Sequence, residues 1–173
     1  MPETYDFIIV GAGSAGCVLA NRLSTNPTNK VLLLEAGPED SNFWIKIPLG
    51  FGKTLQNPKV NWLFESEPEP KLNGRKDFLP RGKTLGGSSS INGMIYMRGQ
   101  SADYDHWAQL GCRGWGYDDV LPYFKKAENN KRGADEYHGT DGPLTVSDLT
   151  EKTILDRKST RLNSSHSSVS RMP

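Results

Sequence analysis

A short stretch near the start of the chain constrains the fold more than any other feature. The apolar run at residues 7–10 has the composition of a strand buried on both faces, and the pattern Gly-x-Gly-x-x-Gly follows it directly at residues 11–16. Apolar side chains at helical spacing continue to Leu23, and residues 31–34 form a second apolar run that ends in Glu35. Strand, glycine turn, helix and strand in this order predict the opening unit of an α/β fold with a parallel sheet.

The three glycines of this turn have separate physical tasks in a nucleotide-binding fold. Gly11 permits the tight turn, Gly13 lets the backbone approach a pyrophosphate, and Gly16 lets helix and strand pack closely. The N–H groups at the helix start then face the phosphates. Glu35, which lies 19 residues after Gly16, can accept hydrogen bonds from a ribose diol. Because its carboxylate repels a 2′-phosphate, the pattern predicts a dinucleotide site that disfavours NADP and leaves both FAD and NAD open.

A second cluster of small residues lies at 81–93, where Gly86 and Gly87 precede three serines. Glycine and serine in such density are typical of a flexible linker. A loop that presses its backbone against a flat polar ligand needs the same small side chains. Apolar residues flank the cluster at Leu85 and Ile91, and a linker has no need of them. We therefore favour a loop that contacts a ligand.

Charge and hydropathy exclude several classes of protein. The chain carries 21 basic and 20 acidic residues, and the net charge of +1 gives no reason to expect nucleic acid as a partner. No apolar run approaches the ~20 residues of a membrane span, and the first run is too short for a signal peptide. The two cysteines, Cys17 and Cys112, form no CxxC pair, so neither a disulfide framework nor a cysteine-rich metal site is expected. We predict a cytoplasmic protein, with attachment to the surface of the inner membrane as the alternative.

The end of the chain differs in composition from the rest. Residues 157–173 contain six serines and four basic residues, with no acid and no apolar periodicity. Such a segment buries too little apolar surface to order itself. It is either a natural disordered tail or, as we favour, sequence foreign to the gene. Without it the chain has 17 basic against 20 acidic residues, and we exclude it, with His166, from the fold.

The remainder of the chain predicts short elements. Six prolines spread over residues 38–80 disfavour long helices and strands there. The candidate elements are a strand at 61–64, a helix at 101–110 with Ser101 as its cap and Gly111 at its end, a helix opened by Asp118 and Asp119, and a strand at 144–146. The aromatic residues of this region are expected in the core and not around a cofactor: Trp107, Trp115, Tyr123 and Phe124.

The stretch from Gly82 to Asp105 carries the most specific motif of the chain. It reads Gly-Lys-x-Leu-Gly-Gly-Ser-Ser-x-Ile-Asn, and Tyr96, Gly99 and Asp105 follow it. In this it resembles the first signature of the glucose–methanol–choline (GMC) oxidoreductases, flavoenzymes that oxidise alcohols. Further similarities are Asn61-Trp62, Pro80-Arg81-Gly82, Arg98-Gly99, Asp103-Tyr104-Asp105-x-Trp107, Gly114-Trp115, residues 120–124 and residues 137–144. Within that family the chain is most similar to the choline-dehydrogenase-like alcohol dehydrogenases of bacteria.

The resemblance implies FAD as the cofactor, held without a covalent bond. Some family members attach the flavin through a histidine just before the asparagine that matches Asn92, and here that position is Ile91. The resemblance also implies the pyrophosphate at residues 11–16, the adenosine ribose at Glu35, and the flavin along residues 82–87 and 92–95. The site residues expected are Gly11, Gly13, Ser14, Ala15, Gly16, Glu35, Ala36, Trp62, Gly82, Leu85, Gly86, Gly87, Asn92, Gly93, Met94 and Ile95.

The fold and activity implied by the resemblance are those of a Rossmann-like FAD-binding domain, incomplete here. We expect residues 1–136 to be the N-terminal part of that domain and residues 137–156 to begin a substrate domain. The whole enzyme would pass a hydride from a primary alcohol, choline or another, to the flavin, with an electron acceptor that the sequence does not specify. His106 is expected on the surface or in packing, and His138 does not match the family's catalytic histidine, so no catalytic residue and no turnover are expected here. The alternatives are a non-catalytic dinucleotide-binding fragment and an NAD-dependent dehydrogenase.

Overall fold

The computed structural model describes residues 3–148, which divide into two compact units at the junction of Ile95 and Tyr96. The helices and strands are β1 Phe7–Val10, α1 Ser14–Leu23, β2 Val31–Leu34, α2 Phe51–Thr54, β3 Phe64–Glu65, β4 Phe78–Leu79, α3 Ser101–Gln109, α4 Tyr117–Ala127, β5 Glu128–Asn130 and β6 Leu144–Val146. The predicted tail at 157–173 lies outside the described residues. Within residues 3–148 no helix combines the length and apolar character that crossing a membrane requires.

The opening α/β unit predicted from the sequence is present. β1 and β2 pair in parallel, with Phe7 opposite Val31 and Val10 opposite Leu34, and α1 connects them. Ile9, which is 7% exposed, belongs to the small core of this unit. The expectation that β1 is buried on both faces is wrong for this chain, because Ile8 and Val10 are 60% and 83% exposed.

The proline-containing stretch is irregular, as expected, but its strand begins later than predicted. β3 starts at Phe64 and pairs antiparallel with β4, while Asn61 forms an isolated antiparallel bridge with Gly82. The buried Asn61 side chain explains the interruption. Its Oδ1 accepts hydrogen bonds from the N–H groups of Leu63 and Arg81, both at 3.0 Å, and Leu63 has a left-handed φ of 54°. A left-handed residue breaks the extended backbone between Asn61 and β3.

The two helices of the second unit begin one residue away from the predicted positions. Gln100 and not Ser101 caps α3, and its backbone N–H donates to the Asp103 carboxylate at 3.1 Å. α4 begins at Tyr117, whose N–H donates to the Asp105 carboxylate at 2.9 Å. Both carboxylates satisfy N–H groups that a helix start leaves without a partner.

The second unit also contains a strand that the sequence did not predict. β5 pairs in parallel with the expected strand β6, with Glu128 opposite Leu144. The segment reads Glu-Asn-Asn and has no apolar periodicity, yet Glu128 is fully buried. Its polar side chains are stable there because they bond to one another and to their neighbours.

The prediction of an aromatic core in this unit is wrong for three of the four residues. Trp107, Trp115 and Tyr123 are exposed, and they line an open cavity of about 630 Å³ between α3 and α4. Phe124 is half-buried and packs edge-on against Tyr104, with 5.7 Å between ring centroids. The two short helices give these large rings too little neighbouring surface to cover them.

Candidate dinucleotide-binding site

The glycine turn between β1 and α1 has the geometry that a phosphate-binding turn requires. Gly11 has a φ of 93°, in the left-handed region that favours glycine. A Cβ at Gly16 would overlap the carbonyl oxygen of Gly11, so helix and turn meet at van der Waals contact. A Cβ at Gly13 would meet no protein atom within 4 Å. The turn is therefore open at Gly13, and the next two residues, Ser14 and Ala15, are exposed.

The second glycine cluster packs directly on this turn. The N–H of Gly86 donates to the carbonyl of Ala12 at 2.7 Å, and a Cβ added at Gly87 would lie 2.8 Å from the Cα of Gly13. Two hydroxyl groups complete the contact, since Ser14 Oγ and Ser89 Oγ lie 2.5 Å apart. Gly86 and Gly87 both have positive φ. The cluster is thus a structured loop and not a linker.

Glu35 joins the turn to the segment after β2. One carboxylate oxygen accepts a hydrogen bond from the N–H of Ala12 at 2.8 Å, and the other accepts from the N–H of Gly37 at 2.9 Å. An ionised carboxylate offers about four acceptor positions. Each oxygen of Glu35 therefore keeps capacity for a ligand hydroxyl. Ala36 lies beside it and is exposed.

Trp62, Gly82 and Leu85 approach the same region through backbone pairing. The N–H of Trp62 donates to the carbonyl of Arg81 at 2.9 Å, next to the bridge between Asn61 and Gly82. The N–H of Leu85 donates to the carbonyl of Pro38, also at 2.9 Å. Both contacts attach residues 82–87 to the segments that carry Trp62 and Glu35.

Residues 92–95 form the outer end of the expected site. The Asn92 Oδ1 accepts from the N–H of Met94 at 2.8 Å, and Met94 has a left-handed φ of 57°. Asn92 and Met94 line a cavity of about 270 Å³ together with Trp44, Phe51, Ser89 and Ser90. Gly93 and Ile95 do not line this cavity, and the Ile95 side chain is exposed.

Two residues of this region were missed by the sequence reasoning. Thr84 is fully buried, and its Oγ1 donates to the carbonyl of Pro38 at 2.9 Å. This hydrogen bond attaches the second glycine cluster to the segment after β2. Ser89 contacts the start of α1 through Ser14. Their positions inside the Gly-Lys-x-Leu-Gly-Gly-Ser-Ser motif were the available signal. Together, the open space at Gly13, the helix start and the Glu35 carboxylate fit a dinucleotide.

A separate buried cluster lies in the second unit around Glu128. Its carboxylate accepts from Arg98 Nη2 at 2.6 Å and from Asn130 Nδ2 at 3.0 Å, and both of its oxygens lie within 3.1 Å of His138 Nδ1. The pKa of Glu128 is lowered. Burial acts to raise this pKa, but the hydrogen bonds from His138, the Gly139 N–H and Asn130 outweigh burial, aided by the charge of Arg98.

The two histidines among the described residues of this unit have different surroundings. His106 is exposed on α3, as predicted. The His138 side chain belongs to the Glu128 cluster, where its Nδ1 lies 3.0 Å from Glu128 Oε1. Within residues 3–148 no group of three or more histidine, cysteine, aspartate or glutamate side chains could hold a metal ion.

A family model described as GMC oxidoreductase matches residues 5–163, and the chain belongs to that family. The match extends past the described residues into the segment at 157–173. The resemblance seen in the sequence is therefore confirmed at the level of the family.

Two relatives illustrate the similarity. An alcohol dehydrogenase (acceptor) of Pseudomonas putida is 54% identical over 154 residues, which cover 88% of this chain and 28% of the relative. An oxygen-dependent choline dehydrogenase of Vibrio vulnificus is 53% identical over 146 residues, covering 84% of this chain and 26% of the relative. The chain thus spans about a quarter of the length of the relatives it matches.

Solved structures confirm the fold class. Pyridoxine 4-oxidase from Mesorbium loti aligns with a TM-score of 0.87 and 36% identity, over 94% of this chain and 32% of that chain. An FAD-dependent oxidoreductase from Chaetomium thermophilum aligns with a TM-score of 0.79 and 30% identity, over 94% of this chain and 29% of that chain. The fold is that of the GMC FAD-binding domain, and FAD is the cofactor of this family.

Proposed function

We propose that this chain binds FAD and forms part of an oxidoreductase that converts an alcohol to an aldehyde. The substrate class we propose is a primary alcohol, choline-like or other. The similarity to an alcohol dehydrogenase and to a choline dehydrogenase supports this class. We also propose a reducing compartment such as the cytoplasm, in keeping with the two unpaired cysteines.

The observation that carries the proposal is the open space at Gly13, next to the start of α1. In our assignment the pyrophosphate lies against residues 11–16, where helix N–H groups and the helix dipole favour an anion. The Glu35 carboxylate accepts hydrogen bonds from the hydroxyl groups of the adenosine ribose. Residues 82–87 and 92–95, with Trp62, flank the flavin side of the cofactor.

When bound, FAD supplies the hydride acceptor, and the protein supplies position and electrostatics. The residues of this chain bind and orient the dinucleotide. Ile91, at the position where some family members attach the flavin, is buried and has no nucleophilic atom, which supports a non-covalent cofactor. We further propose that residues 1–136 belong to the FAD-binding domain and that residues 137–156 begin the substrate domain.

The test is a fluorescence titration of FAD into the chain and its Gly13→Ala variant. Gly13 has an extended backbone with φ −78° and ψ −169°, which alanine adopts readily, and the added methyl group meets no protein atom within 4 Å. The fold is therefore kept, while the methyl group enters the space assigned to the pyrophosphate. We expect the FAD Kd to rise about tenfold or more.

Gly52→Ala is the matched control, since a Cβ there also meets nothing within 4 Å but lies in α2, outside the assigned site. Its FAD Kd should equal that of the unaltered chain. Equal FAD affinity in Gly13→Ala, or NAD binding in place of FAD, contradicts the proposal.

The alternative is that this stretch binds the dinucleotide without turning over an alcohol. The histidines among the described residues, His106 and His138, both lie outside the unit that carries the glycine loops. Dye reduction with choline and simple primary alcohols, with and without added FAD, tests this alternative. FAD binding without dye reduction is the result expected of this chain, and turnover above the flavin background would exclude the alternative.

A further inference from the structure

Three side chains of the first unit form what we call the Lys83–Trp62–Phe64 column. The Nζ of Lys83 lies 4.6 Å from the centre of the Trp62 ring. The rings of Trp62 and Phe64 are stacked, with 5.7 Å between centroids and 5° between planes. Because the face of an indole attracts a cation, the ammonium and the phenyl ring together hold Trp62 in one orientation.

The backbone explains why these residues meet. Asn61 is bridged to Gly82 in antiparallel fashion, the N–H of Trp62 donates to Arg81, and the N–H of Lys83 donates to the carbonyl of Val60 at 2.8 Å. Side chains alternate between the two faces of paired segments. Trp62 and Lys83 therefore share one face as diagonal neighbours, the arrangement in which long and aromatic side chains reach each other.

The charge of Lys83 has no carboxylate partner among residues 3–148. The lysines of the first unit that form ion pairs are Lys46, with Asp40, and Lys76, with Glu65. Gly37, two residues after Glu35, packs closely on the backbone of Lys83. A Cβ added at Gly37 would overlap the carbonyl group of Lys83. The column therefore lies beside the segment that carries Glu35. Trp62 is 43% exposed, which leaves the residue accessible to a ligand.

We propose that Lys83 is a positioning residue, which holds the Trp62 indole in the orientation that contacts bound FAD. The inference rests on the proposed function, because Trp62 is assigned there to the flavin side of the cofactor. Lys83 acts through the ring and makes no contact of its own with FAD. Removing its ammonium group releases the indole and weakens FAD binding.

The first experiment compares FAD titrations of the full 173-residue chain and three variants. Lys83→Met removes the charge and keeps the length, and we expect the FAD Kd to rise about two- to fivefold. Lys83→Arg keeps a cation over the ring and should restore the original Kd. Lys59→Met removes an exposed positive charge that has no aromatic partner among residues 3–148, and its Kd should not change. Loss of affinity in Lys59→Met as well would indicate a general charge effect and overturn the proposal.

A double-mutant cycle then tests the route of the effect. In a Trp62→Leu background, Lys83→Met should produce no further change in the FAD Kd, because the ring on which Lys83 acts is gone. Full additivity of the two changes would mean that Lys83 contacts the cofactor directly, and this would overturn the inference. Unchanged affinity in Lys83→Met alone would also overturn it. If the unaltered chain binds no FAD, the proposed function fails, and this inference fails with it.

Discussion

At the scale of single residues, Glu35 connects two parts of the chain that are far apart in sequence. It accepts hydrogen bonds from Ala12 in the glycine turn and from Gly37 beyond β2. An acid at the end of the second strand was expected from the sequence as a ribose ligand. The structure adds that the same carboxylate fixes the turn. In the function that we propose, its charge also serves the ligand.

We expect Glu35→Gln to raise the FAD Kd about fivefold, because a neutral amide accepts weaker hydrogen bonds than a carboxylate. The amide also places an NH₂ group against one of the two backbone N–H groups. Flavin fluorescence titration measures the change. Glu39→Gln, an exposed acid in the same segment, is the control and should leave the Kd unaltered. Equal affinity in both variants would exclude Glu35 from the site.

Single residues were predictable where one residue type alone satisfies a backbone need. Gly11 and Gly16 are such positions, since one has a positive φ and the other has no space for a Cβ. The burial of Glu128 was not predictable, because an acidic residue is expected to be exposed unless its partners are known. Arg98 and His138, which bury it, are 30 and 10 residues away in the sequence.

At the scale of elements, the apolar and glycine-punctuated segments were predictable and the polar ones were not. β1, α1, β2 and β6 were each expected from local composition and are present. β5 is stabilised by the Glu128 cluster, and no local sequence pattern predicts that cluster. The predicted start of α3 was wrong by one residue, because Gln100, a less usual cap, caps the helix in place of Ser101.

The Glu128 cluster ties β5 to the segments at 98 and 138–139, and Glu128→Gln should destabilise it. The change leaves the buried Arg98 guanidinium without its counter-charge, and we expect the free energy of unfolding to fall by roughly 3–5 kcal/mol at neutral pH. Urea unfolding measures this loss. Glu136→Gln, an exposed acid in the same unit, should change it little.

The pH dependence follows from the lowered pKa of Glu128. The unfolded carboxyl, with an ordinary pKa of 4.5, binds its proton at higher pH than the folded one. The stability that it contributes is therefore complete above pH 4.5 and is lost as the pH falls through the lower folded pKa. Glutamine does not titrate, so the difference between the two proteins should narrow in acid. A difference that stays constant with pH would contradict the role of this charge.

At the scale of the whole molecule, the chain carries a parallel sheet with one uncovered apolar face. Ile8 lies opposite Leu32 and Val10 opposite Leu34, on the face away from the buried Ile9. Parallel sheets of α/β proteins are normally covered on both faces. The exposed aromatic residues between α3 and α4 add a second apolar surface.

We therefore expect the chain to self-associate through the uncovered face of β1 and β2, because exposed apolar strands promote association. Sedimentation velocity should show a mass that rises with protein concentration. A double variant, Ile8→Thr with Val10→Thr, keeps β-branched side chains suited to a strand and should lower the association markedly. Val18→Thr, at a similarly exposed apolar position on α1, is the control and should change it little. A chain that is monomeric at all concentrations, or a double variant that associates as strongly as the unaltered chain, would show that this face does not drive association.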